Sequence, residues 1–169
     1  MLESFTNINS SQFESKSIVT ANVIIKDLMF NRKILQLDRG SKNDVTTGMV
    51  VVGQSGALVG IITSLYEDYS YVTLINDAKS SVPIFLQSTQ QTGALQGNNG
   101  PINIDFISAD NSIKTGESII TSSLGNIIPA GIPVGRIYEI DDASELFLTI
   151  TVEPFEDLNN ITIVNIIKD

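Results

Sequence analysis

The chain contains the stretch Val45-Thr46-Thr47-Gly48-Met49-Val50-Val51-Val52, which returns 68 residues later as Ile113-Lys114-Thr115-Gly116-Glu117-Ser118-Ile119-Ile120. Two further segments return in the same order, 75 residues later: Val59-Gly60-Ile61-Ile62 as Val134-Gly135-Arg136-Ile137, and Tyr71–Ile75 as Leu146–Ile150. A repeat of this length is too long for a solenoid unit and too short for a large domain. It predicts two similar small folding units in tandem.

The composition indicates a globular β-protein. The 169 residues are 42% apolar and 17% charged, isoleucine and valine are abundant, and aromatic residues make up only 7%. Because β-branched side chains are already restricted about χ1, they favour the pleated sheet. We therefore predict an all-β fold with little helix, made of two tandem small six-stranded β-barrels in the chymotrypsin-like double-barrel arrangement.

Alternation of apolar and polar residues divides the chain into four segments. Residues 1–16 are polar and read as a poorly ordered lead-in. Strand patterns then predict a first barrel over 17–88 and a second over 89–154, where proline ends the last strand because it lacks the N–H that a ladder needs. Residues 155–169 give a connector and a final strand, which either returns to the first barrel, the arrangement we favour, or closes the second.

Two glycines stand inside strand patterns, Gly60 and Gly135, at equivalent places in the repeat. Glycine in a strand interior normally weakens the sheet. Its recurrence therefore predicts a bulge or a tight corner that bends each barrel closed. A phosphate-binding loop is the alternative, but no GxGxxG or GxxxxGK[ST] pattern followed by a helix is present.

Most of the residues that catalysis needs are missing from the chain. It has no histidine and no cysteine, which excludes a Ser-His-Asp triad and a thiol nucleophile. Because chymotrypsin-like proteases share the double barrel, a hydrolase with a non-histidine active site stays open as an alternative, through a Ser–Lys pair that uses Lys79 or Lys114. A module that binds a sugar or another small molecule is a third reading, and it requires a pocket with converging polar groups.

The net charge of the chain and the residue types available as metal ligands restrict which partners and ions it could bind. A formal net charge of −9 disfavours nucleic acid, whose phosphates would be repelled. Without histidine or cysteine only hard cations could be bound, and the acidic pairs Glu67-Asp68 and Asp141-Asp142 have the pattern of solvated turn residues. We expect no metal and no cofactor. No apolar run approaches the roughly 20 residues of a membrane-spanning helix, and no signal peptide is visible.

Outward-facing aromatic residues are the most promising surface feature. If Val82, Ile84 and Leu86 fill the barrel, Phe85 points outward. By the same alternation Arg136 and Tyr138 point outward from the strand around Ile137. Exposed aromatic residues make good anchors at protein interfaces. We predict that Phe85, Tyr138 and Arg136 bind a partner; contact between the two barrels is the alternative role of the two aromatic residues.

The segment Gly116–Gly135 resembles the signature of a known family, the bacterial rod shape-determining protein MreC in its extracytoplasmic region. Supporting similarities are the segments 40–48, 58–60, 76–83 and 93–97, so that the resemblance extends over about residues 17–167. The chain departs from the family pattern at a few turn and packing positions, where Ser123 and Asn126 replace glycine and Ile128 replaces phenylalanine, and the pair Asn43-Asp44 lacks a following glycine.

The resemblance implies a non-enzymatic scaffold of the cell-elongation complex, which controls cell shape. Members of the family bind the elongation-specific penicillin-binding transpeptidase that synthesises peptidoglycan, cooperate with MreB, MreD and RodZ, and self-associate. They lie on the periplasmic, extracytoplasmic face of the inner membrane behind a single-pass anchor and a coiled coil. We expect the anchor to be absent from this sequence and Leu2–Phe5 to be the end of the coil.

Overall fold

The computed structural model describes residues 17–110, 112–122, 128–142 and 146–168, so that the expected lead-in over 1–16 lies outside the described residues. Six strands form in the first half: β1 (Ser17–Asp27), β2 (Ile34–Leu37), β3 (Val50–Val52), β4 (Leu58–Leu65), β5 (Ser70–Leu74) and β6 (Ser81–Leu86). Six more follow: β7 (Gln91–Gly97), β8 (Ile102–Ser108), β9 (Ser118–Thr121), β10 (Pro133–Asp141), β11 (Phe147–Pro154) and β12 (Ile163–Lys168). The only helix among the described residues is a 3-10 turn over Ser41–Asn43.

The strands close into two six-stranded barrels, which confirms the predicted fold class. The first barrel has the order β1-β12-β3-β4-β5-β2, and the second has the order β10-β11-β8-β7-β6-β9. All strand pairs are antiparallel. Closure leaves few exposed strand edges, which limits unwanted strand pairing.

The boundary between the barrels lies earlier than the sequence predicted. β6 was expected in the first barrel, within 17–88, but it pairs with β7 and β9 of the second. The reason is the return of the last strand: β12 lies between β1 and β3 and supplies the sixth strand of the first barrel. The first barrel therefore needs only five strands from the first half, and the chain crosses over between Leu74 and Ser81.

The repeated glycines mark equivalent bulges. On β4 the register shifts between Leu58 and Gly60, and on β10 it shifts between Pro133 and Gly135. A Cβ on Gly60 would lie 2.3 Å from the carbonyl oxygen of Thr73, and a Cβ on Gly135 would lie 2.2 Å from that of Glu153. Each glycine thus lets the neighbouring strand approach at the corner where its barrel bends, as the sequence predicted.

The aliphatic residues of both barrels form one continuous core cluster. Most strands alternate buried and partly exposed positions, as expected for sheets with one solvated face. β3 and the segment Val164–Ile167 of β12 are instead buried at every position. Both faces of these strands are therefore covered, and their aliphatic residues belong to the same cluster as residues of the second barrel. The two barrels therefore share apolar packing.

Two crossovers connect the barrels, and polar contacts hold both. In the first, buried Asp77 accepts hydrogen bonds from the backbone N–H groups of Lys33 (2.8 Å) and Lys79 (2.8 Å). Gly97 of the second barrel packs against the Asp77 backbone so closely that a Cβ would lie 2.2 Å from its carbonyl oxygen. In the second crossover, the Glu156 carboxylate accepts hydrogen bonds from the backbone N–H and hydroxyl of Ser55 in the β3–β4 turn.

Candidate partner-binding face of the second barrel

Phe85 lies on the outer face that β6, β9 and β10 form. Its neighbours in the strand, Ile84 and Leu86, are buried in the barrel, and Phe85 itself is half-buried on the outside. Opposite it in β9 lies Ile120, whose side chain points the same way. The two side chains line a hollow of about 280 Å³ together with Thr121, Ser122, Ala130 and Gly131. An aromatic edge beside a shallow hollow can accept an apolar side chain from a partner.

Arg136 shares this outer face with Phe85. It is paired with Ser118 of β9 on one side and with Glu153 of β11 on the other. Ser118 and Ile120 are two positions apart in β9, so both side chains point outward. Since Ser118 pairs with Arg136 and Ile120 pairs with Phe85, β9 is the one strand between Arg136 and Phe85. The Arg136 guanidinium is not free, since its carbon lies 5.3 Å from the centroid of the Phe155 ring in a cation–π contact.

Tyr138 projects outward, as the alternation around Ile137 predicts, and it lies at a second irregularity in β10. The register with β11 runs from Ile137 directly to Glu139, which leaves Tyr138 as the extra residue of a bulge. Its side chain is 64% exposed. The structure thus places Phe85 and Arg136 on one face and Tyr138 farther along the same strand as Arg136. We call the outer surface that carries Phe85, Ile120, Arg136 and Tyr138 the partner face.

Sequence reasoning missed two other exposed aromatic residues of this barrel. Phe106 is 72% exposed and has a positive φ of 70°, which is rare for a bulky side chain. Strict alternation in β8 would point it inward with Ile102 and Ile104, but a bulge opposite β11 turns Phe106 outward and Ile107 inward. Phe147 in the adjacent strand β11 is 50% exposed. The apolar and polar residues of β8 give no sequence pattern that predicts this bulge.

The residues considered for catalysis are not gathered into a site. Lys79 and Lys114 are both exposed and lie outside the strands, one in the crossover and one in the β8–β9 connection. Within the described ranges, no cluster of three or more acidic side chains is placed to hold a metal ion. The acidic pair Glu67-Asp68 contacts the Lys42 ammonium at 3.9 and 3.4 Å on the surface of the first barrel.

One carboxyl of the first barrel has a shifted pKa. Partial burial of Asp38 would raise it, but hydrogen bonds from the backbone N–H and side-chain amide of Asn22, together with the Arg39 guanidinium, outweigh burial and lower the pKa of Asp38. Asp38 lies at the end of β2, and its contacts tie that end to β1. Asp38 belongs to the first barrel and the partner face to the second, so this pKa shift affects stability rather than the partner face.

In the part of the chain that the structure describes, no helix has the length and apolar character to cross a bilayer. Residues 123–127 of the signature segment lie outside the described residues. The rest of that segment forms β9, the connection around Pro129 and the start of β10. It therefore contributes Ile120 to the partner face and Gly135 to the bulge.

Comparison with known proteins agrees with this architecture. The chain is 26% identical to the cell shape-determining protein MreC of Streptococcus pneumoniae over 166 residues, which is 93% of this chain and 60% of that protein. It spans less than two thirds of the length of the curated relatives it matches.

Solved structures show the same fold. MreC from Pseudomonas aeruginosa superposes with a TM-score of 0.82 at 21% identity, over 89% of this chain and 98% of that one. A complex between penicillin-binding protein PBP2 and MreC from Helicobacter pylori matches with a TM-score of 0.68 at 17% identity, over 91% and 99% of the two chains. The sequence profile described as rod shape-determining protein MreC, barrel core, matches residues 23–168. The chain therefore belongs to the MreC family.

Proposed function

We propose that this chain is an extracytoplasmic scaffold of the bacterial cell-elongation complex, which controls cell shape by binding a penicillin-binding transpeptidase. The single observation that carries the proposal is the structural match to a family member solved together with a penicillin-binding protein. The partner face supports it, because this outer surface combines a half-buried aromatic edge, a hollow and an exposed tyrosine. It offers contact area rather than a reactive centre.

The scaffold acts on the transpeptidase without a covalent step. A binding protein biases its partner when it binds one of the partner's conformations more tightly than another. Phe85, Tyr138 and Arg136 are the residues through which the chain contacts the synthase. Phe85 and the neighbouring hollow receive an apolar side chain, and Tyr138 supplies both ring area and a phenolic hydroxyl. Arg136 adds a cationic contact, while its stem and guanidinium stay over the Phe155 ring.

The remaining associations belong to the same proposal. The chain self-associates and cooperates with MreB, MreD and RodZ, and a membrane anchor outside this sequence holds it at the periplasmic face of the inner membrane. The family membership supports these associations. The acidic net charge of −9 keeps the barrels from clustering without specific contacts.

A binding titration with the purified transpeptidase tests the proposal. Phe85→Ala and Tyr138→Ala are each expected to weaken binding by about 30-fold or more, the effect of removing an interface anchor worth about 2 kcal/mol. Phe30→Ala is the matched control, because Phe30 is 90% exposed at the β1–β2 turn of the first barrel. Unchanged affinity for all three variants of the partner face (Phe85→Ala, Tyr138→Ala and Arg136→Ala), each shown by circular dichroism to be folded under the assay conditions, would remove the proposal.

A further inference from the structure

The first barrel carries a groove on the side of β1, β2, β4 and β5. Its volume is about 350 Å³, within the range of small-molecule sites. The outward side chains of these four strands form the floor, and Arg32, near the end of the β1–β2 turn, lies at the rim. The lining residues are Ile25, Asp27, Arg32, Ile34, Gln36, Thr63, Ser64 and Tyr71.

The strand register arranges these side chains in alternation. One row across the sheet reads Ile25, Gln36, Tyr71 and Ser64 on four adjacent strands. The next row reads Asp27, Ile34 and Thr73. Apolar and hydrogen-bonding side chains therefore alternate both along and across the strands. A ligand that fits such a floor must itself alternate apolar patches with polar groups over a few ångströms.

Tyr71 is held in place by two other tyrosines. Tyr66 and Tyr69 stack on each other with ring centroids 4.6 Å apart and an interplanar angle of 15°. Both meet Tyr71 edge-on, at centroid distances of 6.0 and 5.9 Å. This packing restricts the Tyr71 ring before any ligand arrives, and preorganisation reduces the entropy that binding costs.

The charges of the groove cancel. Asp27 and Arg32 form an ion pair at 3.2 Å across its rim, and the other lining residues are neutral. The chain as a whole carries a net charge of −9, so a neutral groove is a local exception. An uncharged ligand with many hydroxyl groups suits this balance, since a carboxylate–guanidinium pair offers acceptors and donors together.

We propose that this groove binds a neutral oligosaccharide. The C–H face of a sugar ring lies against Tyr71 and the neighbouring isoleucines, and its hydroxyls bond to Gln36, Ser64 and the Asp27–Arg32 pair. A peptide strand is disfavoured, because β2 and β5 are paired on both sides within the closed barrel and offer no free backbone edge. The site is independent of the partner face, which lies on the other barrel.

The tyrosines provide a direct readout of this site. The chain has no tryptophan and four tyrosines, and three of the four are the cluster at the groove. Titration with cellohexaose and with chitohexaose is expected to give a saturable change in tyrosine fluorescence with at least one of them. Tyr138→Phe, which removes the distant fluorophore, should leave the change intact. Amide chemical-shift changes in a ¹⁵N-labelled sample should fall on β1, β2, β4 and β5.

Substitutions in the groove separate specific binding from other outcomes. Gln36→Ala and Arg32→Ala should each weaken saccharide binding about tenfold, the effect of one lost hydrogen bond, without lowering the unfolding midpoint. Phe85→Ala should change nothing here. The proposal is overturned if neither saccharide binds at concentrations up to about 10 mM, or if the amide chemical-shift changes fall outside the strands of the groove. It is also overturned if both groove variants bind saccharide as the parent does, or if a polyproline peptide occupies the groove and neither saccharide does.

Discussion

The guanidinium carbon of Arg136 lies 5.3 Å from the centroid of the Phe155 ring, which joins a strand of the second barrel to the crossover that leads back to the first. The backbone N–H of Phe155 donates to the carbonyl of Val134 at 3.1 Å, and the next residue, Glu156, holds Ser55 of the first barrel. Arg136 thus has two roles on the same surface. It lies on the partner face, and it steadies the second crossover.

A double-mutant cycle measures the contribution of this contact to stability. Arg136→Ala and Phe155→Ala should each lower the free energy of unfolding. The loss in the double variant should be smaller than the sum of the two single losses by about 0.5–1 kcal/mol, as expected for an exposed cation–π pair. Urea denaturation of the four proteins gives the coupling energy. Additivity within about 0.3 kcal/mol would show that the contact contributes nothing.

The buried carboxylate of Asp77 should be far more important for stability than an exposed one with the same number of bonds. Asp77→Ala leaves the N–H groups of Lys33 and Lys79 without their acceptor, and we expect a loss of about 2–4 kcal/mol in the free energy of unfolding. Asp157 is the matched control, because it also accepts two hydrogen bonds but is exposed. Equal losses for Asp157→Ala and Asp77→Ala in chemical denaturation would contradict the assignment.

The glycines at the barrel corners should tolerate alanine less well than a glycine whose role is only conformational. Gly60→Ala and Gly135→Ala force a methyl group against a backbone carbonyl, so at least about 2 kcal/mol of stability should be lost. Gly116→Ala meets nothing within 4 Å but has a φ of +89°, which costs about 1 kcal/mol. In thermal unfolding, Gly116→Ala should have a higher melting temperature than either Gly60→Ala or Gly135→Ala. The reverse order would disprove the role of Gly60 and Gly135 at the barrel corners.

Stability should depend on pH through Asp38. Its pKa is lowered in the folded protein, so its contribution is complete above the unfolded value of about 3.9 and disappears as the pH falls through the lower folded value. The difference in unfolding free energy between the parent and Asp38→Asn should therefore shrink as the solution is acidified below about pH 4. Asn22→Ala, which removes the side-chain donor, should reduce the same dependence. A difference that is constant from neutral to acidic pH would refute this role.

Strand positions could be predicted well because they depend on local pattern. The strand that was expected to end at Pro154 is found as β11 (Phe147–Pro154), and the duplicated Val-Gly pairs at 59–60 and 134–135 pointed to bulges that the structure contains. Period-two alternation and a residue that costs stability in a strand are both visible within a few positions. The barrel to which β6 belongs was not visible in this way, because β6 carries the same alternation whichever sheet it joins.

The candidate site was predicted in part. The outward direction of Phe85 and Tyr138 follows from neighbours that must be buried, and the structure has both side chains on the outer surface. The contact of Arg136 with Phe155 joins residues that are 19 positions apart, and no sequence pattern predicts it. Phe106 was missed because a bulge interrupts the alternation of β8, and its position depends on pairing with β11.

By itself the sequence determined that this protein is a duplicated all-β chain of the MreC family without the histidine or cysteine of common catalytic sites, because repeats, β-branched content and missing residue types can be read without folding the chain. Only the tertiary structure decided which barrel receives β6 and β12, how Asp77 and Glu156 hold the two crossovers, and that Tyr71 lies in a neutral groove beside Ile25 and Gln36. These features join residues that are distant in the chain. Their formation depends on which strands pair when the sheets close, a choice that local pattern leaves open.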